Sequence, residues 1–338
     1  MKNDYDIDLV YLWVEGSDPQ WIAKRNLEQA QYTQIENDAV NKCRFCNNDE
    51  LKYSLRSVEK FAPWINKIFI VTDNQVPAWL DINHPKIKII DHTEIMPPEA
   101  LPCFNATALE MRAPYIEGLS ERFLYANDDM FFGGQVEKSF FFDKYGMPII
   151  RFQKKVLKET DNLYCRMVKN AQDKIFEEYG VRIKNFPHHN IDAYLKSDYI
   201  ACLKKFEKDI ERTMMSKFRD KDDIQRSIVS YYMLALGRAR FKNGYARPLW
   251  HERAKIVHRV DSDLPLYKRI FDTLTGNYAA DSAYIFPHKI DSCGKKLKKL
   301  KPKLFCINDS EDTTDEQRRQ IKEFLESYLS EKSGFEIS

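Results

Sequence analysis

Short apolar runs that stop abruptly in polar clusters recur through the first half of the chain. Ile7-Asp-Leu-Val-Tyr-Leu-Trp-Val14 is rich in β-formers and closes at Glu15-Gly-Ser-Asp-Pro19, the pattern of a strand entering a turn. Pro19 stands where helices begin, and 20–41 is polar and helix-prone. Asp49 is placed to cap a helix running to about residue 61, with Leu51, Leu55 and Val58 on its apolar face. Lys67–Thr72 and Lys86–Ile90 read as two more strands, and 105–119 as a helix interrupted by Pro114. A fourth strand, Phe123–Ala126, ends in Asn127-Asp128-Asp129. Beyond about 160 the pattern turns helical. Asp222 or Asp223 opens a helix whose Ile224, Ile228, Tyr231, Tyr232 and Ala235 form a core-packing stripe before Gly237. Residues 289–303 carry seven lysines and read as a solvated loop, and 313–330 as an amphipathic helix.

Alternating strands and helices predict an α/β fold with a mostly parallel, layered sheet. Residues 1–155 form its core, and 156–338 is a mainly helical region of the same unit. In a sheet of this kind the first strand and the Asn-Asp-Asp strand deliver their loops to the same edge, where ligands bind.

The 338 residues are 43% hydrophobic and 31% charged, enough for a sizeable core. The net charge of +2 gives no global argument for nucleic acid or a membrane. Met1-Lys-Asn-Asp-Tyr-Asp6 lacks the apolar core of a secretory signal, and no run approaches a spanning helix, so a cytoplasmic protein is expected. The lysine-rich segment is the one candidate for peripheral contact with the inner membrane or with other proteins. Seven cysteines, an odd number spread along the chain, argue against a disulfide framework. Cys43-x-x-Cys46 lacks the second pair that a structural zinc site needs.

Two adjacent carboxylates at a strand end repel each other and lose hydration unless a cation compensates them. A hard divalent ion held by carboxylates and substrate phosphates answers that problem. Asn and Asp are also ordinary turn residues, and the segment alone leaves both readings open.

Four separated segments settle the direction. The first is Ile7–Pro19; the second runs from Arg44-Phe45 through Glu50-Leu-Lys-Tyr-Ser-Leu-Arg56-Ser57, Ala62-Pro-Trp64, Leu101-Pro102 and Phe104-Asn105 to Asn127-Asp128-Asp129. The third comprises Pro187-His188, Asp192, Lys217-Phe218-Arg219 and Asp222-Asp223-Ile224-Gln225; the fourth is Lys303–Asp309 with a terminal helix and Ser333-Gly-Phe335-Glu336. Together, in this order, they resemble the Stealth family of sugar-phosphate transferases. Glu15, Asn47 and Thr107 depart from the family pattern, and an extra residue near His188 and His189 leaves the choice between them open.

The resemblance implies a Rossmann-like, glycosyltransferase-A-like fold and a capsular polysaccharide phosphotransferase. Such an enzyme passes a hexose- or N-acetylhexosamine-1-phosphate from a UDP-sugar to a hydroxyl of an oligosaccharide or polysaccharide, releasing UMP. It implies Mg²⁺ or Mn²⁺ on Asp128 and Asp129, joined by Asn308 and Asp309. Arg56 and Arg219 are then phosphate clamps, since a guanidinium fork suits phosphate better than an ammonium. His188 is the candidate base, with Asp128 as an alternative. Tyr11, Trp13 and Gly16 in the first loop are candidates for holding the nucleotide, with Asp18 beside them and Asn105 toward the sugar. A metal-dependent glycosyltransferase releasing UDP is the competing enzyme class, and a non-catalytic carbohydrate- or nucleotide-binding module the competing non-enzyme.

Overall fold

The computed structural model describes residues 5–156, 162–243, 246–248 and 282–337. Its central sheet has the order β3-β2-β1-β4-β8. These strands are β1 (Ile7–Leu12), β2 (Ile68–Thr72), β3 (Ile87–Asp91), β4 (Arg122–Asn127) and β8 (Asp192–Leu195). The first four run parallel, and β8 adds an antiparallel edge. Ile7, Leu9, Val10 and Tyr11 of β1 and Phe123–Ala126 of β4 are fully buried. A strand covered on both faces needs such an unbroken apolar run, which is why these segments were legible in the sequence.

Helix α1 (Pro19–Gln29) ends well before residue 41, and only a four-residue turn of helix, α2 (Asn37–Val40), follows. Helix α3 (Glu50–Phe61) buries Leu51, Leu55 and Val58 against β1 and β2, as their spacing requires. Asp49 does not cap it. That residue sits in the left-handed region at φ 63°, and its carboxylate pairs with Lys322 at 2.6 Å. The helix expected from Asp222 or Asp223 starts later, at Ser227, because Asp223 is held in the preceding loop by Asn105. Tyr231 and Tyr232 pack in the core.

Among its described residues, the region after 155 supplies strands as well as helices. Besides β8 it supplies β7 (Asn185–Pro187) and β9 (Arg240–Asn243), which flank β6 (Ile149–Val156). It also supplies β10 (Ala246–Pro248), β11 (Ser282–Ile285) and β12 (Leu304–Ile307), which form a second sheet closed by β5 (Met130–Phe132). The pairing of β5 with β12 is antiparallel, so the chain's last strand is stitched directly behind Asn127-Asp128-Asp129. The lysine-rich segment is a helix, Ile290–Leu300, not a loop. Ile290, Cys293 and Leu297 recur at helical spacing and pack with Ile321 and Leu325 of the last helix, Asp315–Tyr328. The lysines take the opposite face. Among the described residues, no helix is long and apolar enough to cross a membrane.

Candidate functional site

β1 and β4 are neighbours, with Leu12 opposite Asn127, so the loop after β1 and the pair Asp128-Asp129 share the carboxyl edge of the sheet. Asp128 and Asp129 form the turn between β4 and β5. The expected turn is present, and the two carboxylates stand in it. β12 fixes it from behind: Ile307 N donates to the Asp129 carbonyl at 3.1 Å, and Cys306 Sγ donates to Asp129 Oδ2 at 3.3 Å. Asp129 Oδ1 is buried without a partner.

The acidic turn carries uncompensated charge. Burial and the neighbouring Asp129 push Asp128 up to about 7. Burial, with Glu50 and Asp309 adding to it, pushes Asp129 up to about 7. Glu50, in the first turn of α3, is likewise pushed up to about 7 by burial and by Asp128. Its two oxygens accept from the Asn48 amide groups at 2.5 and 2.6 Å. Three carboxylates held this way with an unpartnered oxygen fit a cation, which would remove the repulsion. Asp129, His189 and Cys306 also place one donor atom each within 4.8 Å of one another, a group able to hold a metal ion.

His189, not His188, faces the acidic turn. Its Nε2 lies 4.0 Å from Asp129 Oδ2, while His188 is 2% exposed and turns Nδ1 to Ser282 Oγ at 3.3 Å. Burial, with Arg226 and Arg219 nearby, pushes the His189 imidazole down to about 4; burial and Arg151 push His188 down to about 3. Both rings are therefore neutral at pH 7. Arg226 had no signal in the sequence beyond its place after Gln225. It is buried, bonds Asp192 Oδ2 at 2.9 Å, stands 3.6 Å from Glu110 Oε2 and lies over the Tyr125 ring at 4.1 Å.

Arg219 sits on the 216–223 loop and has no hydrogen bond or ion pair among the described residues. Burial lowers its pKa, and the Arg44 guanidinium lowers it further. Asn105 secures that loop: its Nδ2 donates to the Ser216 carbonyl at 3.0 Å and Asp223 Oδ2 at 2.8 Å, while Oδ1 accepts from Thr107 N at 3.0 Å. Phe104 stacks on Phe218, with ring centres 5.4 Å apart. Asn105 is thus a fully buried brace for Arg219, and it offers nothing to a sugar.

Several other sequence-derived assignments are corrected. Tyr11 is fully buried with its hydroxyl on Ser54 at 2.7 Å, and Trp13 is 6% exposed in the same core, so neither presents a face to a nucleotide. Gly16 serves a close approach within the protein, because a Cβ there would stand 1.9 Å from the Phe45 carbonyl oxygen. Asp18 caps α1, accepting from Gln20 N at 2.7 Å and Trp21 N at 3.0 Å. Asn308 Nδ2 donates to the Asp309 carbonyl at 3.2 Å. Asp309 Oδ2 accepts from Arg318 at 3.0 Å and Oδ1 from Ser310 N at 2.7 Å, so its charge is already answered.

Arg56 is not a substrate clamp. Its Nε and Nη2 grip Glu336 at 2.7 and 2.9 Å, and Nη1 donates to the Leu329 carbonyl at 2.9 Å. With side-chain exposures of 4% and 3%, this pair ties the C-terminal segment to α3. Removing one partner of a buried pair strands the other. Glu336→Gln is expected to lower the unfolding free energy in urea by roughly 3 kcal/mol, with turnover per folded molecule unchanged. A turnover defect without a stability loss would return Arg56 to the site.

Comparison with known proteins agrees with these segments. Residues 44–150 match the model of Stealth protein CR2, conserved region 2, and residues 5–28 that of Stealth protein CR1, conserved region 1. The exopolysaccharide phosphotransferase CpsY of Mycobacterium tuberculosis is 34% identical over 338 residues, covering 96% of this chain and 57% of the relative. The exopolysaccharide phosphotransferase cps2G of Lactiplantibacillus plantarum is 30% identical over 353 residues, covering 98% of this chain and 96% of the relative. The chain thus spans little more than half of the mycobacterial protein and nearly all of the lactobacillar one. Among solved structures, the galactosyltransferase LgtC aligns over 95% of this chain and 96% of its own, at 10% identity and a TM-score of 0.43.

Proposed function

The chain belongs to the Stealth family, and from that premise we propose that it is an exopolysaccharide phosphotransferase. It moves a hexose- or N-acetylhexosamine-1-phosphate from a UDP-sugar to a hydroxyl of an oligosaccharide or polysaccharide, releasing UMP and leaving a phosphodiester. The observation that carries this reading is the acidic turn Asp128-Asp129 with His189 at 4.0 Å. Arg219, half-buried near His189 without a bonded carboxylate, supplies the matching positive charge. We read the sheet as a glycosyltransferase-A-like variant of the Rossmann arrangement and the whole chain as one catalytic unit. A cytoplasmic enzyme is the matching location, with the lysine face of Ile290–Leu300 as its contact to a membrane surface or to other proteins of capsule synthesis.

In this reading Asp128 and Asp129, backed by Glu50, would hold Mg²⁺ or Mn²⁺, whose charge would neutralise the donor's phosphates. Arg219 grips the phosphoryl group to be transferred through its guanidinium fork. Neutral His189 accepts the proton of the acceptor hydroxyl through Nε2. The hydroxyl oxygen bonds the sugar-bearing phosphorus, the bridge to the other phosphorus breaks, and UMP leaves with that electron pair. The anomeric carbon is untouched. Arg226 keeps Asp192 and Tyr125 in register behind His189, and Asn105 keeps Arg219 in place.

The test is incubation with a panel of UDP-sugars, Mg²⁺ and glycan acceptors, reading the released nucleotide and acceptor phosphorus. UMP with new phosphorus in the acceptor is the expected result. UDP with no phosphorus gained would overturn it in favour of a glycosyltransferase.

A further inference from the structure

A second polar cluster occupies the neighbouring strand ends of the same sheet edge. Asp73 directly follows β2 and His92 directly follows β3. Both strands run parallel to β1, so these residues emerge on the edge that carries the β1 loop and Asp128. Lys24, from α1, reaches Asp73 Oδ2 at 2.5 Å. His92 Nδ1 lies 3.9 Å from Asp73 Oδ1, beyond hydrogen-bond length. The imidazole is 2% exposed, and its Nδ1 has no partner.

This arrangement holds a carboxylate on one oxygen and leaves the other facing an unpartnered ring nitrogen. A hydroxyl group completes such a gap, because one O–H can donate to the carboxylate while its oxygen or a vicinal neighbour meets the imidazole. The surface is continuous with the β1 loop. Gln75 Oε1 accepts from Glu15 N at 2.8 Å, and its Nε2 donates to the Glu15 carbonyl at 3.1 Å. Adjacent strands are about 4.8 Å apart, so the end of β2 stands one strand-spacing beyond β1. The crevice between β1 and β4 is where the chain's strand order reverses, the place for phosphates, and a nucleoside continuing from it passes over β2 and β3.

We propose that Asp73 is the group that recognises the ribose hydroxyls of the donor's nucleoside, with Lys24 and His92 as the residues that position it. The proposal rests on the reading of the donor as a nucleotide sugar. An acid at the end of the second strand of a parallel nucleotide-binding sheet is the chemically suited partner for a vicinal diol. Tyr11 and Trp13, both buried in the core, leave the nucleoside no anchor in the β1 strand itself.

The experiment is calorimetric titration of the full chain, with Mg²⁺ present, using UDP, 2′-deoxy-UDP and 3′-deoxy-UDP, with ADP, GDP and CDP as controls for the base. The wild type is expected to prefer UDP over at least one deoxy analogue by about ten- to hundredfold, the range for a hydrogen bond to a charged group. Asp73→Asn should lose that preference, binding UDP as weakly as the deoxy analogue while binding the analogue nearly as the wild type does. Lys24→Met should lose part of it in the same direction. An unchanged preference in Asp73→Asn overturns the proposal and leaves the nucleotide-donor reading intact. Should Asp73→Asn fail to fold, equal wild-type affinity for UDP and both analogues overturns it alone. Binding of no nucleoside diphosphate by the wild type overturns both.

Discussion

Replacing Asp129 with asparagine is expected to cut transfer sharply and, at the same time, to raise the melting temperature of the metal-free protein. Asp129 is raised from 3.8 to about 7 by burial, with Glu50 and Asp309 adding to it. A carboxyl whose folded pKa lies above its unfolded value binds more protons in the native state than in the unfolded chain between those two values. Its stabilising contribution is fully present below about pH 4 and is lost as pH rises through about 7. At pH 8 the metal-free site therefore holds repelling charge, which costs about 1.4 kcal/mol for every pH unit separating the two values. Asparagine keeps the shape and the Cys306 contact and removes the charge. Calorimetry without divalent ions should show the variant melting several degrees above the wild type at pH 8, with the gap narrowing as pH falls and closing below about pH 4. Added Mg²⁺ or Mn²⁺ should raise the wild-type transition and leave the variant's nearly unmoved. Turnover should fall about 10²–10³-fold, as when a group aimed at developing charge is removed. A variant with an undiminished response to metal would mean that Asp129 holds no cation.

What the sequence revealed and concealed follows from distance along the chain. Phe123–Ala126 and its acidic end were readable because a doubly covered strand is an apolar run and the polar residues follow it directly in sequence. Arg56 was misread for the opposite reason. Its partner Glu336 is 280 residues away, and no local pattern distinguishes an arginine gripping a ligand from one gripping the chain's own terminus. Glu50 looked like an ordinary first-turn acid until β4 brought Asp128 beside it. The sequence left His189 as an alternative to His188 and placed Cys306 in a resembling segment, but it could not place either against Asp129, because the loop after β7 and the strand β12 meet it only through the sheets. Asn105 was singled out for the wrong role, because its amide braces the 216–223 loop and leaves nothing over for a sugar. The lysine-rich segment concealed a helix because its buried apolar side chains, Ile290, Cys293 and Leu297, are outnumbered by charges.

Arg219→Lys is expected to reduce kcat/KM about 10²–10³-fold with little change in stability, and the contrast with Arg56 makes the result decisive. A half-buried guanidinium that no carboxylate bonds is suited to a counter-ion that arrives with the substrate. Arg219 is such a group: Arg44 repels it, and no acid among the described residues bonds it. Lysine preserves the positive charge but replaces a planar fork with one flexible ammonium, so it loses the paired bonds to a phosphoryl group. The loss should fall chiefly on kcat, because the clamp matters most while charge is redistributing over the transferred phosphoryl. Binding of the free nucleotide product should weaken less than turnover. Asn105→Ala should reproduce part of the defect while leaving Arg219 itself intact, since it removes the brace that positions the loop. Steady-state kinetics on both variants, with urea melts as the control, separate the possibilities. If Arg219→Lys turned over normally, or failed only by unfolding, the guanidinium would be structural and the phosphate would need another partner.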